Sequence, residues 1–160
     1  MQRPGSLRKK GLALITVLMG APGAGKTTWV NKHKTDELVL STEAIRVFKD
    51  DIDQGAYMAK LRQQGARAIK ENKSVIVDAT NTFSHHRLYW LQLGKAHKQT
   101  TKLIIFNTSL PLLLQAQLDR QHPAPSHIVK QHHKRLQHSI IRVRLEGWDQ
   151  LQMITRNHNE

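Results

Sequence analysis

Gly20-Ala21-Pro22-Gly23-Ala24-Gly25-Lys26-Thr27 fills every fixed position of the spacing G-x-x-x-x-G-K-[ST]. These residue types suit one task, the holding of a polyphosphate. Glycines let backbone N–H groups turn inward around an anion, and the start of a following helix adds positive potential. Lys26 can then reach the β- and γ-phosphates of a nucleoside triphosphate, and the hydroxyl of Thr27 can ligate Mg²⁺. The flanks agree with this reading. The apolar run Leu12–Met19 reads as a buried strand, and Thr28–Lys34 can open a helix. Gly20 to Thr28 is therefore expected to hold the phosphates of ATP or another nucleoside triphosphate.

A second group of residues can serve the acceptor of a phosphoryl group. In Ser41-Thr42-Glu43-Ala44-Ile45-Arg46, Glu43 and Arg46 are three apart and so are neighbours on one helical face. A carboxylate there can take the proton of an attacking hydroxyl, and a guanidinium can hold an acceptor phosphate through paired hydrogen bonds. The competing reading is a surface ion pair worth ~0.2–0.5 kcal/mol. In Val77-Asp78-Ala79-Thr80-Asn81, an acidic residue closes an apolar strand. That is the place for a carboxylate that organises Mg²⁺, directly or through a water. Asp78 can equally be a turn residue. Thr80 and Asn81 are expected to position substrate or the loop itself, and Arg87 to be either a further phosphate contact or a solvated arginine. Arg120 stands before the proline-broken stretch Gln121–Pro125. It fits a lid that brings positive charge onto the transferring phosphoryl and excludes water.

The chain has ten histidines, among them the pairs His85-His86 and His132-His133. Adjacent residues do not share a helical face, which makes these pairs poor metal sites. They are expected to be solvated or to contact phosphate. Lys130, Lys134, Arg135, Arg142 and Arg144 make the last helical region basic. Such a run is either a solvated face or a track for a nucleic-acid backbone.

The elements that must position these groups alternate along the chain. Strands are expected at Leu12–Met19, Glu37–Leu40, Ser74–Val77 and Lys102–Phe106, with a short one at Leu151–Ile154. Helices are expected at Gly25–Lys34, from Glu43 to about Asp50, and at Asp53–Glu71, Ser84–His97 and Leu110–Arg120. A last helix, capped by Ser126, runs to about Arg142. Continuous apolar strands separated by helices argue for a parallel sheet covered on both faces. Ligands in such sheets sit at the carboxyl ends of the strands, where each of these motifs falls. The expected fold class is α/β: three layers, a mostly parallel sheet of four to five strands, helices on both faces and a small helical lid.

The 160 residues suit one domain. There are no cysteines, which excludes disulfides, thiolate metal sites and a cysteine nucleophile, and which fits a cytoplasmic location. The formal charge of +13, from 25 Lys and Arg against 12 Asp and Glu, favours polyanionic partners, nucleic acid first. At 5% aromatic residues, an aromatic platform for base stacking is not indicated. No apolar run approaches the ~18 residues of a membrane span. Arg3, Arg8, Lys9 and Lys10 precede an apolar run, as in a signal peptide, but cleavage after that run would destroy the glycine-rich loop. Residues 1–10 are expected to be a basic arm, 11–155 a single domain and 156–160 a frayed tail.

The combination GAPGAGKTTW, STEAIR, DATNT, an arginine-and-proline lid and EGWD resembles one group of phosphate-loop kinases. That group includes the phage and bacterial polynucleotide 5′-hydroxyl kinases and is related to the zeta toxins. The resemblance spans roughly residues 12–154. It implies an ATP- and Mg²⁺-dependent kinase whose acceptor is the 5′-hydroxyl end of DNA or RNA; separately, the lack of a long apolar run leads us to expect no membrane partner. The resemblance also implies that Glu43 is the general base, Arg46 the contact to the acceptor's phosphate and Arg120 the lid arginine. Two features depart from the family pattern. Glu43 stands where the family has aspartate, and no second arginine lies between Arg120 and Pro125. Two other readings remain: a kinase of nucleosides, sugars or antibiotics on the same fold, and a nucleotide-driven switch or nucleic-acid binding module that transfers nothing.

Overall fold

Three β-branched or apolar runs, each bounded by polar turns, form the centre of the sheet: Leu14-Ile-Thr-Val-Leu-Met19, Val75-Ile-Val-Asp78 and Thr100-Thr-Lys-Leu-Ile-Ile-Phe-Asn-Thr108. The computed structural model describes residues 13–47 and 53–157. In chain order these form β1 (Leu14–Met19), α1 (Lys26–His33), β2 (Leu38–Ser41), α2 (Glu43–Val47), α3 (Gln54–Lys70), β3 (Val75–Asp78) and α4 (Ser84–Ala96). Then follow β4 (Thr100–Thr108), α5 (Leu110–Leu118), α6 (Ser126–Ile140), a 3₁₀ turn at Val143–Leu145, and β5 (Gln150–Arg156). The strands form one five-stranded sheet in the order β2-β3-β1-β4-β5. Every neighbouring pair is parallel.

Both sheet faces are covered, as continuous apolar strands require. On one face Ile15, Val17, Met19, Val77, Leu103 and Ile105 pack with Leu61 and Ile69 of α3 and Trp90 and Leu91 of α4. On the other, Leu18, Ile76, Ile104 and Phe106 pack with Val30 of α1, Leu113 of α5 and Val129 of α6. The side-chain period of two thus sends alternate residues of each strand into different cores. The α/β fold expected from the strand and helix alternation is the fold observed.

Differences from the sequence reading lie at the ends of elements. β4 begins at Thr100 rather than Lys102, because the Asp149 carboxylate accepts from the N–H (2.8 Å) and hydroxyl (3.2 Å) of Thr101 and so satisfies a polar residue that is fully buried. The short strand expected at Leu151–Ile154 is seven residues long and pairs with β4 throughout, from Lys102↔Gln150 to Thr108↔Arg156. Arg156 therefore belongs to the sheet and not to a frayed tail, and its carbonyl accepts from Ser109 N at 2.9 Å. Ser126 is the first residue of α6 and not its cap. Pro125 holds the cap position with extended backbone, and its carbonyl accepts from the N–H groups of Ile128 and Val129. Asp53 does cap α3, accepting from Ala56 N at 3.0 Å. Leu12, residues 48–52 and the 1–10 arm lie outside the described residues.

Gly65 marks the closest approach of α3 to the sheet. A Cβ there would collide with the ring of Trp90 and lie 2.7 Å from Leu40 Cδ1. Alanine at a free helical position is about 1 kcal/mol better than glycine, whereas overpacking costs about 1–3 kcal/mol. Gly65→Ala is expected to lower stability by about that larger amount. Urea denaturation checks this, and an unchanged or raised midpoint would show that the helix can move off the sheet without cost.

Candidate active site

The site lies at the carboxyl end of the sheet and is built by register. β2 and β3 pair so that Ser41 sits opposite Asp78. The N–H of Thr42 then donates to the Asp78 carbonyl at 3.2 Å, and Glu43 opens α2 immediately beyond. On the other side of β3, β1 delivers the glycine-rich loop. Gly23 and Gly25 have φ of 91° and 96°, a left-handed conformation that an L side chain rarely adopts. Gly25 is the cap from which α1 starts.

The loop closes on its own lysine. Lys26 is 9% exposed, and its ammonium donates to the carbonyls of Gly20 (2.8 Å) and Ala21 (2.9 Å). The Thr27 hydroxyl donates to Asp78 Oδ2 at 2.9 Å, joining the first residues of α1 to the end of β3. Asp78 itself is buried. A cleft of about 320 Å³ opens over these groups, lined by Pro22, Gly23, Gly25, Lys26, Thr27, Thr28, Ser41, Thr42, Glu43, Asp78, Ala79, Thr80, Ala116 and Arg120. Lys26, Thr27, Asp78, Glu43, Thr80 and Arg120 thus come together from four separate stretches of chain. Arg46 belongs to α2 by its backbone, and its side chain lies outside the described residues.

Arg87 comes out differently, while Asn81 takes the loop-holding one of its two expected roles and also lines an adjoining cavity. Asn81 is 3% exposed at φ 49°, and its side-chain amide donates to the carbonyls of Leu18 (2.7 Å) and Ala79 (3.4 Å). It ties the loop after β3 to β1, and Gly20 N does the same by donating to Thr80 O at 2.9 Å. Arg87, expected at a phosphate or in solvent, is 1% exposed and is not among the residues lining the cleft. Its Nε and Nη2 donate to the Glu146 carboxylate at 2.9 and 2.7 Å, and its Nη1 to the carbonyls of Asn81 and Thr82. Trp148 Nε1 completes the carboxylate's partners at 2.9 Å. The EGWD turn thereby acts as a clasp on the loop after β3. Among the basic residues of the last helical region, Arg135 points inward. It donates to Thr82 Oγ1 at 3.1 Å and lies 3.6 Å from the Phe83 ring centroid.

Three residues near the site went unrecognised in the sequence. Gln117 of α5 is buried with all four of its hydrogen-bonding positions engaged. It donates to the carbonyls of Pro22 (2.9 Å) and Leu113 (3.2 Å), and it accepts from Ala124 N (3.0 Å) and Arg120 Nη1 (3.4 Å). One amide therefore couples the phosphate loop, the proposed lid arginine and the proline-rich connection between α5 and α6. The fit is tight, for a Cβ on Gly23 would come 2.6 Å from Gln117 Nε2. Arg156 stands beside the phosphate loop, with Nη1 3.8 Å from where a Gly25 Cβ would be. His132 faces inward beside the site, its Nδ1 2.8 Å from Thr82 Oγ1. Burial, with Arg135, Lys26 and His86 nearby, lowers its pKa from 6.5 to about 4. Burial also lowers His86 and His133, and for His86 the charges of His85, Arg62 and Arg135 add to it. None of the three carried a helical or strand periodicity that would have separated it from the neighbouring polar residues.

The glycine-rich loop between a parallel strand and a helix, with a threonine–carboxylate contact across it, defines a phosphate-loop nucleotide-binding fold of the kinase-like kind. The chain belongs to the AAA domain family, which it matches over residues 15–142. Solved structures share the fold at low identity. One is a candidate kinase from Chloroflexus aurantiacus, 18% identical, covering 93% of this chain and 90% of that one at a TM-score of 0.63. A chain of the Pnkp1/Rnl/Hen1 RNA repair complex is 19% identical at a TM-score of 0.63, with 82% of this chain matched to 46% of that one, so this chain spans just under half its length. A third comes from the PezAT chromosomal toxin–antitoxin system of Streptococcus pneumoniae, 13% identical, with 91% of this chain matched to 69% of that one at a TM-score of 0.62. No protein of curated function matches the sequence. Among the described residues, no helix is long and apolar enough to cross a membrane.

Two predictions follow from the buried groups. Glu146→Ala would leave Arg87 buried without its carboxylate, and removing one partner of such a pair costs about 3–5 kcal/mol. Denaturation should show a loss of that order, and a loss near that of a surface pair would mean the arginine is solvated. The second prediction concerns acid. His132 is neutral in the fold and titrates near 6.5 when unfolded, so its favourable contribution is complete above that pH and is lost as pH falls towards about 4. His132→Gln should therefore lose less stability than wild type between neutrality and pH ~4.5. Parallel losses in the two proteins would place the imidazole in water.

Proposed function

We propose that the protein is an ATP-dependent kinase that transfers the γ-phosphoryl group to the 5′-hydroxyl of a polynucleotide, with residues 11–155 acting as one kinase domain. The observation that carries this reading is the single cleft that gathers Lys26, Thr27, Asp78, Glu43 and Arg120. The loop from Gly20 to Thr28 would receive the triphosphate on its N–H groups, with Lys26 turning from the loop carbonyls to the β- and γ-phosphates. Glu43 lines the same cleft at the start of α2, where its carboxylate can take the proton of an incoming hydroxyl. Arg46 would orient the acceptor by its nearest phosphate, and Arg120 would neutralise charge on the transferring group.

The Thr27 and Asp78 oxygens fit Mg²⁺, since both are hard donors, lie 2.9 Å apart and face the phosphate loop. Among the described residues no cluster of three or more His, Asp or Glu could hold a metal by itself. That suits an ion that relies on substrate phosphates and water for its remaining ligands. Held by Thr27 and Asp78, Mg²⁺ would supply positive charge against the charge that develops on the transferring phosphoryl group. The remaining work belongs to the chain: alignment of two substrates and exclusion of water from the space between Glu43 and the phosphate loop.

A nucleic-acid acceptor agrees with the net charge of +13. A small-molecule acceptor is favoured by one observation, a second cavity that adjoins the cleft at Thr42 and Thr80. Salt separates the two, because backbone recognition releases counterions and makes KM for the acceptor rise steeply with ionic strength.

The direct test is transfer of labelled γ-phosphate from ATP to 5′-hydroxyl DNA and RNA oligonucleotides. Wild type should label the 5′ end. Glu43→Gln should slow transfer by about 10²–10⁴-fold with ATP binding intact. Lys26→Ala should slow transfer by a factor of at least about 10² while the fold is retained. ATP bound without label on any oligonucleotide would move the acceptor to a small molecule, and Lys26→Ala with near-normal turnover would remove the phosphate loop from the mechanism.

A further inference from the structure

Next to the phosphate cleft lies a second cavity of about 650 Å³. The two share Pro22, Thr42, Ala79 and Thr80 in their walls, so they lie side by side. The second differs in character. Its described walls are mainly apolar, with Leu40, Met58, Leu61, Val77, Trp90 and Ile128 among them. Its size lies within the ~300–1,000 Å³ of small-ligand sites, and a few polar groups in an apolar pocket are what orient such ligands.

His132 is one of those polar groups, and its tautomer follows from its partners. Arg135 can only donate, and its Nη1 lies 3.1 Å from Thr82 Oγ1 and 3.4 Å from His132 Nδ1. Because Arg135 Nη1, a pure donor, lies against His132 Nδ1, that nitrogen is the acceptor and the Thr82 hydroxyl 2.8 Å away can donate to it. The ring nitrogen on that side is therefore an acceptor. In a neutral imidazole the proton then sits on Nε2, on the opposite edge. His132 lines the cavity, so that edge offers it an N–H. A buried N–H without a partner costs about 1–3 kcal/mol, which disfavours a purely aliphatic occupant. A sugar would leave many hydroxyls against apolar walls. A flat heterocycle with one ring nitrogen or carbonyl oxygen aimed at His132 satisfies both conditions.

We propose that this cavity seats the heterocyclic base of the nucleoside that carries the acceptor hydroxyl, and that His132 Nε2–H donates to an acceptor atom on that base. The base goes into the apolar space, and the sugar hydroxyl reaches back past Thr42 towards Glu43 and the phosphate loop. This deepens the proposed kinase reading and rests on it for the direction in which the nucleoside points. The same seat serves a free nucleoside or the first nucleotide of a strand.

Two measurements test the proposal. In the first, the phosphate loop is filled with a non-hydrolysable ATP analogue, and adenosine, guanosine, cytidine, uridine and methyl riboside are titrated by calorimetry. Nucleosides should occupy one further site and methyl riboside should not. Ile128→Arg, which fills the cavity, should abolish that binding. In the second, oligonucleotides with a normal or an abasic 5′-terminal residue compete as acceptors. The abasic end should be used at least about tenfold less well in kcat/KM. His132→Leu should lower use of the normal end part of the way to the abasic level and affect the abasic end less, and His132→Gln, which keeps an N–H donor, should restore most of that loss. Nucleosides no tighter than methyl riboside, equal use of the two ends, or equal losses on both in His132→Leu would each overturn the proposal. Nucleoside binding with no transfer to any hydroxyl would instead sink the kinase reading and leave the base seat standing. Labelling of free nucleosides but not of strands would assign the seat to the small-molecule source.

Discussion

The loop that follows β3 is the part on which the site depends, and a single buried ion pair holds it. Arg87 grips the Glu146 carboxylate with two of its nitrogens and the carbonyls of Asn81 and Thr82 with the third. With those carbonyls fixed, Asn81 reaches Leu18 O on β1, Thr80 O receives Gly20 N, and the Thr82 hydroxyl meets His132. The phosphate loop, the end of β1 and the wall of the second cavity are all referenced to the same three residues, Thr80, Asn81 and Thr82. A buried arginine is costly unless its donors find partners, and here each of its three nitrogens has at least one. Rigidity where substrates must be aligned within about an ångström justifies such a device.

The strands and the phosphate loop could be read directly, because their physics is local. An apolar run of the right length makes a buried strand wherever it sits, and Gly23 and Gly25 adopt positive φ for reasons internal to the loop. The pairing of Thr27 with Asp78 was legible for a related reason, since parallel strands carry their chemistry at the carboxyl end whatever the strand order. The roles of Arg87, Asn81, Gln117 and His132 were not. Each is set by a partner far along the chain: Glu146 for Arg87, Leu18 for Asn81, Pro22 for Gln117 and Thr82 for His132. An arginine on a helix near a substrate loop has the same sequence appearance whether it grips a phosphate or a glutamate. Only the fold brings the EGWD turn under α4 and decides between them.

The same limit applies to the aromatic residues. A content of 5% argued against a stacking platform. That argument concerned an exposed surface covered with aromatic rings. Trp90 is 5% exposed and lies between the core under α3 and α4 and the second cavity. One well-placed ring in a closed space removes more water from a ligand than several on an open face, so overall content is a weak guide to a pocket.

Charge is distributed between the two halves of the site in a way that follows from what each would hold. The cleft over the phosphate loop combines Lys26 and Arg120 with the carboxylates of Asp78 and Glu43, a setting for phosphate oxygens and a proton to be moved. The adjoining cavity is apolar on most of its described walls, and His132 stays neutral there because burial and the neighbouring cations oppose its protonation. A charged imidazole at that point would attract a phosphate into the acceptor space and compete with the loop. A neutral one can still direct a hydrogen bond. Arg135 serves this arrangement twice, since its charge helps keep His132 unprotonated and its N–H, set against His132 Nδ1, fixes the tautomer. Lys26 and Arg120 thus stand on the phosphate side, while the adjoining cavity sets the neutral, directional His132 beside Arg62 among mainly apolar walls.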